Sequence, residues 1–284
     1  MIDQPGAYQI TNAQYHSDPC VVPSLSRGLM MDLLFKSPAH AFANHPRFTV
    51  QKPDNDKKYD IGQSAHSLFL EGIDKCVIVD ADDWRKKEAK EQRDQAYQDG
   101  LIPLLKSQYE DVGQMVRAAN TALYKSELRL KIKDGVSESS LFWKEGKTWF
   151  RIRTDWMKTQ RPIILDYKTS DSANPDDFGR KAISLGYDIQ ESLYRRGFEA
   201  IYGLEPTFVF MVQEIKKPYL CSFIALSPEF QYHGDNKVKE GIRLWRECIE
   251  TGEWPGYPKR ICHIDPPPWV GNWEIKAEVL EDSI

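Results

Sequence analysis

The strongest constraint on the fold comes from two neighbouring segments, 148–157 and 162–169, in which apolar and polar residues alternate with a period of two. This period is typical of β-strands, and residues 159–162 between them predict a turn that joins the strands into a hairpin. An even-length turn places Asp155 of the first strand directly opposite Asp166 of the second. Two carboxylates that face each other across a ladder repel, so the pattern indicates a bound cation between them.

The same alternation assigns side chains to faces. Phe150, Ile152 and Trp156 are expected on one apolar face of the first strand, and Asp166 and Lys168 share a face of the second. Oxygen-rich sites suit Mg²⁺ or Mn²⁺, and a lysine at this spacing can handle a proton or compensate the charge of a phosphate. The motif therefore indicates a metal-dependent phosphodiesterase site.

A second interpretation of these residues is a cluster of salt bridges on a solvated face of the sheet. Ile164 argues against this interpretation, because it shares the face of Asp166 and its apolar side chain indicates that this face is not fully exposed to solvent. The periodicity alone leaves both interpretations open.

The composition is that of a soluble globular protein. Of the 284 residues, 41% are hydrophobic and 28% are charged, which is ordinary for this class. The apolar stretches are strand-sized and the N-terminus lacks the basic and apolar pattern of a signal peptide, so we expect a cytoplasmic protein without a membrane segment. The net charge of −4 gives no overall attraction to nucleic acid, and a nuclease would need its positive charge concentrated locally.

The five cysteines exclude two common kinds of site. None of them forms a CxxC pair, so neither a zinc knuckle nor a redox dithiol is indicated. An odd number of cysteines in a reducing compartment predicts free thiols, and no iron–sulfur cluster is expected.

The order of predicted elements indicates an α/β or α+β fold in which helices flank a central mixed sheet. In the single domain, residues 1–130 form a mainly helical N-terminal part with a charged helical insertion at about 80–130, residues 137–255 form the core, and residues 256–284 form a tail containing proline and tryptophan. In chain order, the expected elements are helices at 24–34 and 61–72 around a loop at 51–59, a strand at 77–79, helices at 80–100 and 101–130, strands at 139–144, 148–157 and 162–169, helices at 175–185 and 188–202, strands at 207–213 and 219–225, and a helix at 228–251.

The helix that follows the third strand of the core offers two further polar side chains. Gln190 and Tyr194 are four positions apart and therefore lie on one face of it. The alternative is an ordinary amphipathic helix whose Ile189, Leu193 and Phe198 point inward.

The ordered set Asp155, Asp166-Tyr167-Lys168-Thr169 and residues 187–194 resembles the PD-(D/E)XK nuclease superfamily, in the branch with RecB-type nuclease domains, and is most similar to RecE-type exonucleases. The resemblance runs from about residue 22 to 213 and implies a restriction-endonuclease-like core. An aspartate stands at 166 where many members have glutamate, which is usual in this branch.

The resemblance also implies roles for individual residues. His66 lies on the predicted helix after a glycine, at the spacing found in the family, and the resemblance therefore implies a metal ligand. Without the resemblance, the usual interpretation of a single histidine is a residue on the helix surface or a buried one that is hydrogen-bonded. Lys168 would activate the attacking water, with Gln190 and Tyr194 supporting it. The implied ligands of one or two Mg²⁺ or Mn²⁺ ions are Asp155, Asp166, the backbone carbonyl of Tyr167, His66 and Glu138.

Candidate DNA contacts lie on three predicted helices. Solvated helix faces are an equally good interpretation for the basic residues among them. The candidates are Arg180, Lys181, Arg195 and Arg196 on the phosphate backbone, and Ser24, Ser26 and Arg27 around a terminal 5′-phosphate.

The family implies 5′→3′ digestion of linear double-stranded DNA ends, leaving a 3′ single strand for an annealing protein of the RecT type. It also implies a homo-oligomeric ring, with residues 80–130 as a candidate interface. Two alternatives remain open: an endonuclease or single-strand-specific nuclease of the same fold, and a catalytically silent DNA-binding or assembly module.

Overall fold

A computed structural model describes residues 1–49 and 60–267. Seven strands of these residues form one mixed sheet: β1 (Gly6–Tyr8), β2 (Ser24–Ser26), β5 (Val136–Glu145), β6 (Thr148–Lys158), β7 (Ile163–Ser170), β8 (Thr207–Glu214) and β9 (Cys221–Ile224). A separate parallel pair consists of β3 (Cys76–Val79) and β4 (Ile102–Leu105). The order in the main sheet is β1-β5-β6-β7-β8-β9, and β2 pairs with β6 beside that path.

Helices cover both faces of the sheet, which confirms the predicted fold class. Strands β5, β6 and β7 form the expected antiparallel meander, β8 pairs with β7 in parallel, and β9 returns antiparallel. The helices are α1 (Asn12–His16), α2 (Arg27–Phe35), α3 (Pro38–Asn44), α4 (Asp60–Leu70), α5 (Lys87–Gln98), α6 (Lys106–Lys125), α7 (Pro175–Ser184), α8 (Tyr187–Tyr202) and α9 (Pro228–Thr251).

Two apolar cores lie on opposite faces of the sheet. Side chains of α2, α8 and α9 pack on the first face, and side chains of α4 and α6 pack on the second. Phe150 and Ile152 belong to the first core but Trp156 belongs to the second, so the single apolar face predicted for this strand is wrong. The change of face occurs between Ile152 and Trp156, where the pairing with β5 skips the position of Glu138 and Asp155 and Glu138 adopts a left-handed φ of 54°.

Strand β6 has an interrupted edge that decides where the site lies. Along this edge β2 pairs with residues 149–151 and β7 pairs with residues 156–158. Residues 152–155 lie between these two partners and pair with neither. Asp155 therefore stands in a gap of the sheet, where β7 separates from β6.

The N-terminal part departs from the sequence prediction in three places. Ser24–Ser26, predicted as the start of a helix, is the strand β2, which pairs with β6 of the main sheet. Ile102–Leu105, predicted as helix, is a buried strand because it pairs with β3, a contact that local periodicity does not encode. The charged helix begins at Lys87 and not near residue 80.

Some predictions lie outside the described residues, namely the loop at 51–59 and the tail beyond residue 267. No helix within residues 1–49 and 60–267 combines the length and the apolar character needed to cross a bilayer.

Candidate metal centre

Three side chains from three elements come together at the gap beside β6. His66 of α4, Glu138 of β5 and Asp155 of β6 each offer one ligand atom, and these atoms lie within 4.8 Å of one another. The imidazole lies between the carboxylates, with its Nε2 3.3 Å from Asp155 Oδ2 and its Nδ1 3.7 Å from Glu138 Oε1. We call these three residues the metal triad.

The backbone places two members of the triad. Glu138 and Asp155 occupy the one rung that the β5–β6 ladder skips between Ser137 and Ser139. The left-handed backbone of Glu138 is uncommon for a residue with a side chain, and such backbone strain concentrates at functional sites. The irregular rung thus lets both carboxylates reach the same space.

Helix α4 brings the third member, and Gly62 allows it to come close. A Cβ atom at position 62 would lie 2.6 Å from Oγ1 of Thr169 in β7. Only glycine fits that approach without a shift of either element. His66, one turn further along α4, is thereby held over Asp155.

Asp155 and Asp166 occupy the relative positions that the hairpin predicts. The β6–β7 ladder ends at Trp156 and Leu165, and continuing its register by one residue sets Asp155 opposite Asp166. Their carboxylates nevertheless turn apart. Asp155 Oδ2 accepts a hydrogen bond of 2.8 Å from the backbone N–H of Tyr167, and Asp166 is not among the three groups within reach of one ion.

Asp166 instead forms a second cluster with Lys168 and Gln190. Lys168 Nζ lies 2.5 Å from Asp166 Oδ1, and Gln190 Nε2 donates a hydrogen bond of 2.5 Å to Asp166 Oδ2. Lys168 Nζ also lies 5.4 Å from the centre of the Tyr187 ring. The structure therefore brings together Asp166, Lys168 and Gln190 as the sequence predicted.

Burial governs the charge of this second cluster. It raises the pKa of Asp166 from 3.8 to about 6, because the apolar surroundings disfavour the carboxylate and Asp155 adds a like charge. Burial lowers the pKa of Lys168, but the facing carboxylates of Asp166 and Asp155 outweigh it and the net shift is upward. The lysine therefore stays charged while its carboxylate partner has a pKa near the neutral range.

In the triad, the imidazole and the carboxylates shift one another's pKa. Burial favours the neutral form of Asp155, yet the hydrogen bond and the charge of His66 lower its pKa overall. Burial likewise lowers the pKa of His66, and Asp155 reverses this and raises it. The pKa of Glu138 is raised by burial despite its contact with Arg153. The site concentrates negative charge that a divalent cation would compensate.

Arg153 is a part of the site that the sequence prediction missed. Its Nε lies 2.5 Å from Glu138 Oε2, and its Nη1 donates a hydrogen bond of 2.8 Å to the carbonyl oxygen of Ile10. Arg153 thereby holds the N-terminal arm (residues 9–12) beside the triad. The available signal was its position two residues before Asp155, on the same face of the alternating strand.

The side chains of Tyr194 and Tyr167 belong neither to the metal triad nor to the cluster of Asp166, Lys168 and Gln190. The Tyr194 side chain is buried in the first core, with its ring edge-on to Phe208 at 6.0 Å. The Tyr167 side chain points to the opposite face and donates a hydrogen bond to Gln213. The metal contact expected from the Tyr167 carbonyl stays a prediction.

The arginines predicted to track DNA on α8 are already paired within the protein. Arg195 contacts Glu191 at 2.7 Å and Asp235 at 3.2 Å, and Arg196 forms two hydrogen bonds with Glu145. Their charges are compensated by acidic residues from α8, α9 and β5. The DNA contact expected for both arginines stays a prediction.

The remaining DNA-contact candidates differ in their environment. Ser24 is fully buried and donates a hydrogen bond of 2.6 Å to Asp18, so it does not face a ligand. Ser26 caps the N-terminus of α2, where Arg27 donates a hydrogen bond to the carbonyl oxygen of Leu185. On α7, Lys181 donates a hydrogen bond of 2.7 Å to Ser170, whereas Arg180 is exposed and has no partner among the described side chains.

The donor set fits a divalent cation. One imidazole and two carboxylates within bonding reach of a common point are ligands that Mn²⁺ accepts, and the carboxylates also suit Mg²⁺. In addition, Asp166 Oδ1 is buried without a hydrogen bond, although it contacts the Lys168 ammonium. The residues present therefore agree with a metal centre, and the ion is not identified by them.

Known proteins are similar to this chain in sequence pattern and in fold. A family model described as a “PDDEXK-like domain of unknown function” matches residues 29–264. The chain is similar to a crystal structure from Eubacterium rectale described as a “putative exonuclease”, with 13% sequence identity, coverage of 92% of this chain and 97% of that chain, and a TM-score of 0.58. At that identity the likeness concerns the fold alone. No curated protein matches the sequence.

Proposed function

Because the chain belongs to the family of PDDEXK-like domains, which confirms the superfamily predicted from its motifs, we propose that it is a divalent-metal-dependent deoxyribonuclease. The observation that carries the proposal is the adjacency of the metal triad to the buried pair of Asp166 and Lys168. A metal-binding group next to a charged lysine can polarise a phosphodiester and stabilise the charge that develops on it during hydrolysis. A cluster of surface salt bridges does not need the strained Glu138 backbone.

Different residues of this chain have different roles in the proposed reaction. His66, Glu138 and Asp155 would hold one or two Mg²⁺ or Mn²⁺ ions, with Asp166 on its neighbouring strand as a further ligand. A bound ion of this kind polarises the phosphate and lowers the pKa of a coordinated water.

Lys168 and its neighbours supply the remaining chemistry. Lys168 orients the attacking water and stabilises negative charge on the phosphate by electrostatic attraction. Gln190 fixes Asp166 through its hydrogen bond, so that the carboxylate stays next to the lysine. Tyr194 supports α8 from within the core.

The substrate we propose is the end of linear double-stranded DNA, digested in the 5′→3′ direction to leave 3′ single strands for recombination by a RecT-type annealing protein. This finer assignment is supported by the resemblance of the motifs at 166–169 and 187–194 to RecE-type exonucleases. An endonuclease or a single-strand-specific nuclease would use the same site, so the end dependence is the quantity to measure.

A linear duplex labelled at either its 5′ or its 3′ end tests the proposal, with a covalently closed circle of the same sequence beside it. We expect the 5′ label to be released first in the presence of Mg²⁺ or Mn²⁺, and the circle to stay intact. Lys168→Ala should lower the rate at least about a hundredfold, as the loss of a transition-state charge contact does. Lys90→Ala, an exposed lysine of α5, is the matched control.

Three outcomes of this assay are informative. Cleavage of the circle would identify an endonuclease. A Lys168→Ala variant as fast as the wild type would remove the lysine from the mechanism. Absence of metal-dependent cleavage by a folded wild-type protein would favour the silent binding module.

A further inference from the structure

A cavity of about 700 Å³ opens beside the metal triad, and the proposed reaction leaves it unassigned. His66 and Glu138 form one wall of it, whereas neither Asp166 nor Lys168 lines it. The other walls come from the N-terminal arm, from the exposed side of α4 and from the segment that follows α4. Its volume falls within the range of about 300–1,000 Å³ typical of small-molecule sites.

We infer that this cavity binds the nucleotide that departs when the phosphodiester bond breaks, so that its ligand is a deoxynucleoside monophosphate. The inference rests on the proposed nuclease function and adds a binding site for the leaving group. It also gives the enzyme a place to hold one terminal residue of a strand, as an exonuclease requires.

The geometry of phosphoryl transfer supports this position. The attacking and leaving oxygens stand roughly in line on opposite sides of the phosphorus. Lys168, which orients the water, contacts Asp166, whereas His66, which lines the cavity, contacts Asp155 on the neighbouring strand. When a phosphate at the triad is attacked from the Lys168 side, the water oxygen bonds to phosphorus and the P–O3′ bond on the opposite side breaks. The leaving 3′-oxygen takes up a proton in place of the one the water loses, so the terminal nucleotide departs toward the cavity with a 3′-hydroxyl and the 5′-phosphate it already carried.

The chemistry of the walls fits a nucleotide without regard to its base. Gln9, Asn12 and Gln63 are exposed and their side-chain amides have no hydrogen-bond partner in the described part of the chain. Each amide both donates and accepts hydrogen bonds, which suits the mixed donor and acceptor edges of all four bases. Binding of this kind carries no sequence preference.

Positive charge in the cavity comes from Lys75. Its ammonium has no ion-pair partner among residues 1–49 and 60–267, and it lines the wall that follows α4. The other cation in the lining, Arg153, is paired with Glu138. Lys75 is therefore the group available to a phosphate of the bound nucleotide.

The test is equilibrium binding of 2′-deoxyadenosine 5′-monophosphate to the full chain, measured by titration calorimetry with and without Mn²⁺. We expect saturable binding to the wild type. Lys75→Ala should weaken it about tenfold, as the loss of one charged hydrogen bond does. Gln63→Trp should also weaken it, because the substitution removes the amide and the indole occupies part of the cavity.

Lys90→Ala and Gln98→Trp on α5 are the matched controls, since both residues are exposed and lie outside the cavity. These controls should bind the nucleotide as the wild type does. Equal affinity of the wild type, Lys75→Ala and Gln63→Trp, or no saturable binding to the wild type at millimolar nucleotide, would overturn the inference.

The nuclease assay on the same proteins separates the two proposals. If the wild type digests DNA, the nucleotide should inhibit it, and Lys75→Ala should need about tenfold more nucleotide for the same inhibition. Digestion that the nucleotide does not inhibit overturns the leaving-group site while the nuclease function stands. Binding that depends on Lys75 in a protein without nuclease activity overturns both the nuclease and the leaving-group role.

Discussion

At the scale of single residues, the imidazole of His66 is held between two carboxylates, 3.3 Å from Asp155 and 3.7 Å from Glu138. An imidazole ligand favours Mn²⁺ over Mg²⁺, because nitrogen donors suit transition metals better than they suit Mg²⁺. An ion that binds only the folded protein stabilises it in proportion to the logarithm of its concentration. The thermal midpoint therefore reports on the triad without any assay of cleavage.

We expect Mn²⁺ to raise the melting temperature by several degrees and to act at lower concentration than Mg²⁺. His66→Ala and Asp155→Asn should remove most of this rise, as measured by scanning calorimetry. His233→Ala, an exposed histidine of α9, should keep it. A full rise in the Asp155→Asn variant would contradict the assignment of the triad.

The buried carboxyl of Asp166 predicts how stability depends on pH in the absence of metal. Its pKa is about 6 in the folded protein and 3.8 as the ordinary value, so the folded state holds a proton that the unfolded chain has released. The free energy of unfolding should therefore fall as pH rises from about 4 to about 6.

In EDTA, urea titrations across this range should show a smaller fall for Asp166→Asn than for the wild type, because asparagine does not ionise. Asp171→Asn, at an exposed position just beyond β7, serves as the control and should behave as the wild type does. An unchanged pH dependence in Asp166→Asn would contradict the burial effect.

At the scale of elements, the site depends on how closely α4 approaches β7. Gly62→Ala would set a methyl group 2.6 Å from Oγ1 of Thr169, so either the Thr169 side chain or one of the two elements has to shift, and a shift of α4 moves His66 with it. We expect a loss of about 1–3 kcal/mol in stability and a weaker Mn²⁺-induced rise in melting temperature.

A compensating change isolates the cause. Thr169→Ala removes the crowded hydroxyl and leaves Cβ 3.6 Å away, an ordinary contact. The double variant Gly62→Ala with Thr169→Ala should therefore recover most of the lost stability, as a double-mutant cycle would measure. If the two losses simply added, the steric explanation would be wrong.

The elements also show how far the sequence could predict this site. Periodicity placed Asp155 opposite Asp166, whereas the sequence prediction assigned Gln190 to the nucleophile or to Lys168 and not to Asp166, with which its amide forms a hydrogen bond. Local pattern could not predict that the two carboxylates turn apart. That result depends on the skipped rung at Glu138 and on α4, which packs there from about 70 residues earlier in the chain.

The misassigned elements have the same cause. The contacts of Arg195 with Asp235 and of Arg196 with Glu145 were not predicted, because these partners are 40 and 51 positions away. Ile102–Leu105 was predicted as helix because its partner strand β3 is separated from it in the sequence by the whole of α5. In each case a contact between distant segments overrode the local signal.

At the scale of the whole molecule, the lobe formed by β3, α5 and β4 is the part that the proposed reaction does not use. Ile78 in β3 is 49% exposed, and a two-stranded sheet leaves open edges that can pair with another chain. The interface predicted within residues 80–130 adjoins this strand.

We expect the protein in solution to have a mass that is a multiple of 32.9 kDa, as measured by light scattering on a sizing column. Ile78→Glu should reduce it to the mass of one chain, because a buried charge disfavours the contact. Lys239→Glu, at an exposed position of α9 outside residues 80–130, is the control. A monomeric wild type would contradict the predicted ring.

The path of the chain through this lobe has a practical consequence. The chain leaves the second core after α4 and returns to it with Ile102 of β4, so all three triad residues lie outside the excursion. Gly100, at the turn between α5 and β4, has a φ of +70°, which favours glycine, whereas its neighbour Asp99 is exposed. A fluorescent reporter or a surface tether attached at position 99 would therefore sit on a part of the chain that contributes no residue to the triad, and single molecules could be observed while the reaction centre is left as it is.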